Sequence, residues 1–160
     1  MLSALDPISP ANLIRLFLNG WIVNGMGGGL IVGRTHEEGH IIMMSPTESF
    51  GELTLVGLVS GGEYLLCREA TEQHWDRIQA INKDKSPCSE KIDVTAETRI
   101  LNTRGEPHDK VLLVHGQFIV NAQATKRHFS ELEAMNSQYP SHNGIVLTPD
   151  ELAALKSTVI

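Results

Sequence analysis

The stretch GELTLVGLVSGGEYLLCREATEQHWDRIQAIN (Gly51–Asn82) decides the reading of this chain. It recurs without a gap as GEPHDKVLLVHGQFIVNAQATKRHFSELEAMN (Gly105–Asn136), at a spacing of 54 residues. Gly51, Glu52, Leu58, Gly62, Ala70, Thr71, His74, Ala80 and Asn82 return as Gly105, Glu106, Leu112, Gly116, Ala124, Thr125, His128, Ala134 and Asn136. Where residues change, their character holds. Tyr64, Leu65 and Leu66 become Phe118, Ile119 and Val120, and Trp75, Ile78 and Ile81 become Phe129, Leu132 and Met135. The last trio recurs every three residues, which lays one apolar stripe along a short helix. A unit of about 32 residues buries too little surface to hold such a stripe alone. The stripe must pack on its own hairpin, on the sister copy or on another subunit. Tyr64, Trp75, Ile78, Ile81, Phe118, Phe129, Leu132 and Met135 are therefore the expected repeat core or interface.

Within the units, Leu53–Val59 and Tyr64–Cys67 read as a hairpin turned at Ser60-Gly61-Gly62, and Val111–Val114 and Phe118–Val120 flank the turn His115-Gly116. Thr71 and Thr125 read as helix N-caps, with helices stopping near Asn82 and Asn136. Upstream, Ser9-Pro10 opens a short helix through Leu18, and Trp21–Val23 reads as a strand. Gly25–Gly29 must be a loop, because glycine at that density gives away too much backbone entropy. Leu30–Arg34 and Ile41–Met44 read as strands around the turn Glu37-Glu38-Gly39. Lys83–Lys91 is polar, holds Pro87 and reads as a linker, followed by strands at Ile92–Val94 and Arg99–Leu101. Thr148-Pro149-Asp150-Glu151 is a capping box that opens a terminal helix through Leu155. The predicted fold class is α+β: short antiparallel β-hairpins each followed by a short helix, two related units plus N- and C-terminal helices. The segments are 1–50, 51–82 (unit 1), 83–104 (linker and strands), 105–136 (unit 2) and 137–160.

The 160 residues are 41% hydrophobic and 20% charged, enough to build a core. A net charge of −6 argues against direct reading of nucleic acid, which needs clustered Lys and Arg. The longest apolar stretch, Leu13–Val23, contains Arg15 and Asn19 and is too short to cross a bilayer, so no membrane insertion is expected. The N-terminus has no basic region followed by a small-residue cleavage site, and no signal peptide is expected. Cys67 and Cys88 are the only cysteines, which fits synthesis in a reducing cytoplasm.

The strings Gly62-Glu63-Tyr64-Leu65-Leu66 through Ala70-Thr71 to Ala80-Ile81-Asn82, and Gly116-Gln117-Phe118-Ile119-Val120-Asn121-Ala122-Gln123-Ala124-Thr125 to Glu133-Ala134-Met135-Asn136, resemble a segment found near the ends of phage tail tape-measure proteins and in other minor virion proteins. Gly33-Arg34-Thr35-His36-Glu37-Glu38-Gly39 resembles the Gly-x-Ser/Thr-His-x-x-Gly stretch that often precedes it. The resemblance covers roughly 33–136. It implies a virion or assembly role and no catalytic residues. Gln117 stands where an acid is usual and Cys67 where Asn is usual, and the chain lacks the long helical body of a tape measure.

His36-Glu37-Glu38-Gly39-His40 matches the zinc-protease string H-E-x-x-H, whose chemistry needs both histidines on one helical face. Its flanks, Leu30-Ile31-Val32 and Ile41-Ile42-Met43-Met44, and its central glycine give a solvent-exposed turn instead, and no metal is expected there. Gly25–Gly29 lacks the Gly-Lys-Ser/Thr ending of a phosphate loop. His74 and His128 hold matched positions on the repeat helices and read as half-exposed side chains beside the hairpin; the alternative is a paired proton-sensitive contact, since His titrates near neutrality. The resulting expectation is a non-enzymatic structural component of a bacteriophage virion (tail, neck, baseplate or capsid-associated), made in the host cytoplasm and acting through subunit contacts. It would need no cofactor, and its partners would be other virion proteins and further copies of itself. The alternative is a small intracellular binding module of immunity or regulatory type.

Overall fold

The computed structural model describes residues 7–8, 22–46, 53–89, 91–107, 109–139 and 146–147. The N-terminal helix expected to end at Leu18 and the terminal helix expected through Leu155 lie outside the described residues. In chain order the elements are β1 (Pro7–Ile8), β2 (Ile22–Asn24), β3 (Gly29–Val32), β4 (Ile41–Pro46), β5 (Leu53–Val59), β6 (Tyr64–Leu66), α1 (Arg68–Gln73), α2 (Trp75–Lys83), β7 (Ile100–Asn102), β8 (Lys110–Leu112), β9 (Phe118–Val120), α3 (Ala122–Asn136) and β10 (Val146–Leu147).

The class is α+β, with the strands in two sheets. The first sheet has the order β1-β5-β4-β8-β2-β10 and the second β7-β3-β6-β9. Both are mixed: β8 runs parallel to β4 and β2, and β7 runs parallel to β3. This corrects the expected hairpins. β3 and β4, β5 and β6, and β8 and β9 are each consecutive in sequence, yet each pair divides between the two sheets. The glycine-bearing turns carry the chain across a corner instead of back along its own strand. Of the expected strands, Ile92–Val94 is irregular chain. Ile92 packs against the helical core, while Val94 is exposed among Asp93, Thr95 and Glu97.

Two apolar layers result. Val23, Ile41, Val59 and Val111 of the first sheet meet Ile31, Leu65 and Leu101 of the second. On the far side of the second sheet, Leu30, Tyr64, Leu66 and Val120 meet Ala70, Ile78, Ile81, Ala124, Phe129, Leu132 and Met135 of the helices. The alternation of Tyr64, Leu65 and Leu66 explains this. Neighbouring side chains on a strand face opposite ways, and a strand covered by a sheet on one side and helices on the other must be apolar throughout.

The helices begin earlier than expected. Cys67 and Asn121 are the N-caps, not Thr71 and Thr125. Both threonines are buried in the first turns, where the Thr71 hydroxyl donates to the Cys67 carbonyl at 2.9 Å and the Thr125 hydroxyl to the Val120 carbonyl at 3.2 Å. Nor do Asn82 and Asn136 make left-handed stops. Asn82 lies within α2, and both helix ends keep negative φ at Asp84 and Ser137.

Candidate functional site: the junction between the two units

The repeat unit has the same frame in both copies. β9 occupies the positions equivalent to β6, β8 falls within the equivalent of β5, and α3 spans the equivalent of α1 plus α2. Even the helix irregularity recurs: His74 has φ −117° and ψ 27°, His128 φ −117° and ψ 23°.

The two copies face each other across a local twofold relation. β6 and β9 pair antiparallel with Leu65 opposite Ile119, its own equivalent, and with Tyr64 opposite Val120 and Leu66 opposite Phe118. Such a register maps each strand onto the other. The helices obey the same relation, for Arg77 donates to its own equivalent, Glu131, in a two-pronged ion pair with Nε at 2.5 Å and the second nitrogen at 2.7 Å. This contact holds the Glu131 carboxyl below its ordinary range. Aromatic rings cross over too. Trp75 stands edge-on to Phe118 at 5.5 Å, and its equivalent Phe129 stands edge-on to Tyr64 at 6.1 Å.

Each unit's last asparagine closes the strand-to-helix corner of the other. The Asn121 backbone N–H donates to Asn82 Oδ1 at 2.9 Å, and the Cys67 backbone N–H donates to Asn136 Oδ1 at 2.8 Å. Asn136 Nδ2 also donates to the Gly27 carbonyl at 3.0 Å. Beside it, Gly28 has φ 71°, and a Cβ there would stand 2.4 Å from the Leu65 carbonyl oxygen, so only glycine lets the loop come this close. Arg99 binds the same corner, donating from its side chain to the Asn136 carbonyl at 3.0 Å and to the Tyr139 carbonyl.

The residues expected to form a core or an interface therefore separate. Tyr64, Ile78, Ile81, Phe129, Leu132 and Met135 are buried between the units, Phe118 is half-buried, and only Trp75, at 47% exposure, offers substantial surface. Of the three places a stripe could pack, the sister copy takes most of both, and Trp75 alone stays half exposed. The exposed apolar side chains Val56 and Leu58 lie elsewhere, on one face of β5.

His128 differs from His74 in having a partner. Its Nε2 sits 2.7 Å from Asp84, which Arg127 also approaches at 3.2 Å. Hydrogen bonds from Ser86, then from His128, hold the Asp84 carboxyl far below its usual range. His74 Nε2 is buried and finds no hydrogen-bond partner among the described residues. Cys67 is buried, and that burial pushes its thiol up. Cys88 is half-buried in a polar cleft with Arg127 and His128.

The His36-to-His40 string forms a turn between β3 and β4, so it lacks the helical face of a zinc protease. Among the described residues no three His, Cys, Asp or Glu side chains converge as a metal centre, and no helix is long and apolar enough to cross a membrane. No family model, no curated protein and no solved structure matches the chain.

Proposed function

We propose that this chain is a non-enzymatic structural component of a bacteriophage virion that acts through subunit contacts. The reading is carried by two tape-measure-like segments folded against each other about a shared strand pair, with residues at equivalent positions in contact. The stripes are buried between the units, so contacts with neighbours would fall to side chains exposed outside that core. Val56 and Leu58 on β5 and the exposed part of Trp75 supply apolar surface for such contacts. Partners would be other virion proteins or further copies of the chain.

Mass spectrometry of purified particles tests this. The chain should be present at a fixed ratio to the major virion proteins, and deleting its gene should leave incomplete particles. Complete, infectious particles without the chain would refute the reading. One observation favours the alternative, a small intracellular binding module: because the repeat stripes are buried internally, a monomer needs no partner to cover them. Sedimentation at micromolar concentration separates the two. Self-association or co-sedimentation with particle components supports the virion role, and a compact monomer with no affinity for them supports the binding module.

A further inference from the structure

The turn between β3 and β4 brings two metal-binding side chains together. His36 Nδ1 and His40 Nδ1 lie 2.5 Å apart, with ring centroids 4.7 Å apart. The turn backbone enforces this approach. The Thr35 carbonyl accepts from the N–H groups of Glu38, Gly39 and His40 at 3.0, 3.0 and 2.9 Å. The Glu38 carboxylate accepts the Thr35 N–H at 3.0 Å, Arg34 donates to the Glu38 carbonyl, and Ser60 Oγ accepts the His36 N–H at 3.3 Å. Gly39 has φ 126°, and His40, with φ 70°, is the only described non-glycine residue with a positive φ. That conformation is uncommon for a side-chain-bearing residue, and here it accompanies a ring folded back onto His36.

Two imidazole nitrogens this close cannot both present lone pairs to each other; one carries a hydrogen aimed at the other, and a metal ion can take that hydrogen's place. We propose that His36 and His40 chelate one divalent transition-metal ion through their Nδ1 atoms, with water in the remaining coordination positions. Neutral imidazole is a ligand for zinc, copper and nickel. With zinc–nitrogen bonds of about 2.0–2.1 Å and tetrahedral geometry, the two nitrogens would stand about 3.3 Å apart. The rings reach that spacing by opening less than about 1 Å, a small side-chain rotation at a solvent-facing turn. The surrounding charge suits a cation. Glu37 and Glu38 lie between the histidines in sequence, and the Glu63 carboxylate feels the charge of His36, against the single positive charge of Arg34. The site differs from a zinc protease, because Glu37 sits on a turn and no third protein ligand converges there among the described residues. It departs from the sequence expectation of no metal at this string, and it does not depend on the virion reading.

Zinc titrated into the purified full-length chain against a chromogenic chelator is the test. One zinc should bind per chain. His36→Ala and His40→Ala should each abolish binding, and His115→Ala, at an exposed turn elsewhere, should leave it intact. Magnesium should not compete, since it selects oxygen ligands. Circular-dichroism melts would verify that each variant folds. If the wild-type chain binds no zinc, the rings share only a proton and the proposal fails; it fails equally if either alanine variant binds zinc as the wild type does.

Discussion

At equivalent positions of the two units, the same task is done with different atoms. Asn121 caps α3 with a carboxamide oxygen, which accepts the Ala124 N–H at 2.8 Å, whereas Cys67 caps α1 with sulfur at 3.4 Å. Tyr64 donates its hydroxyl to Glu133 at 2.9 Å, but the matching pair is Phe118 and Gln79, and the Gln79 side-chain nitrogen is buried with no partner among the described residues. Burial, reinforced by the Glu133 contact, keeps the Tyr64 hydroxyl well above the ordinary phenol range. Val56 is an exposed apolar side chain on β5, and its equivalent Lys110 is fully buried on β8. The shared frame is set by glycines, helix starts and the apolar stripe. The differences are set by what each copy packs against, since β8 lies inside its sheet between β4 and β2.

The comparison breaks most directly at the stripe. Ile78 and Leu132 are equivalents, and both are fully buried in one cluster. Ile78→Ala and Leu132→Ala should each cost about 2–5 kcal/mol in urea unfolding. Because the units share one core, either variant should still unfold in one transition. Two separate transitions would show that the units are independent.

Lys110 comes next. Burial lowers its pKa from 10.5 to about 8, partly opposed by Asp109. Between pH 8 and 10.5 the unfolded chain holds a proton that the folded chain has released, so stability should rise with pH across that window, by up to about 3 kcal/mol. Below pH 8 both states are protonated and the slope vanishes. Lys110→Met should flatten the rise, whereas Val56→Met should leave it in place; an unchanged rise in Lys110→Met would assign it to other groups.

Asn136 and Asn82 give a smaller, unequal pair. Asn136 is buried and bonded to both Cys67 and Gly27, so Asn136→Ala should cost about 1–3 kcal/mol. Asn82 is half-buried, and Asn82→Ala should cost less. Equal losses would mean that the exposure difference is irrelevant. Smaller again, and opposite in sign, Phe118→Tyr should offer the orphaned Gln79 amide a hydroxyl and raise stability by about 0.5–1.5 kcal/mol, read from the thermal midpoint. A loss would mean that the edge-on contact with Trp75 leaves no room for the oxygen. Smallest of all, Arg77→Ala removes a half-exposed ion pair. Its effect on the midpoint should shrink as salt is added, because exposed pairs are screened.

The sequence by itself determined the duplication, the α+β class, the strand positions near Tyr64 and Phe118, and the helices with their buried faces. These follow from local chemistry: glycine at turns, and apolar residues at strand and helix spacing. It misplaced the caps, because Cys67 is an unusual cap and the matching threonines fit the pattern almost as well. The tertiary structure alone decided how strands pair. An apolar run flanked by glycine looks the same whether the chain folds back on itself or crosses to a second sheet, so the hairpins were legible only as strands and turns. Only the fold could show that Ile78, Ile81, Phe129, Leu132 and Met135 are buried between the two units while Trp75 stays half exposed, since the sequence leaves sister, hairpin and neighbouring subunit equally able to bury the stripes. The His36–His40 contact was hidden for the same reason. Helical spacing would bring the two rings together by periodicity, but in a turn their meeting depends on one left-handed residue and on the bonds around Thr35, which no spacing rule records.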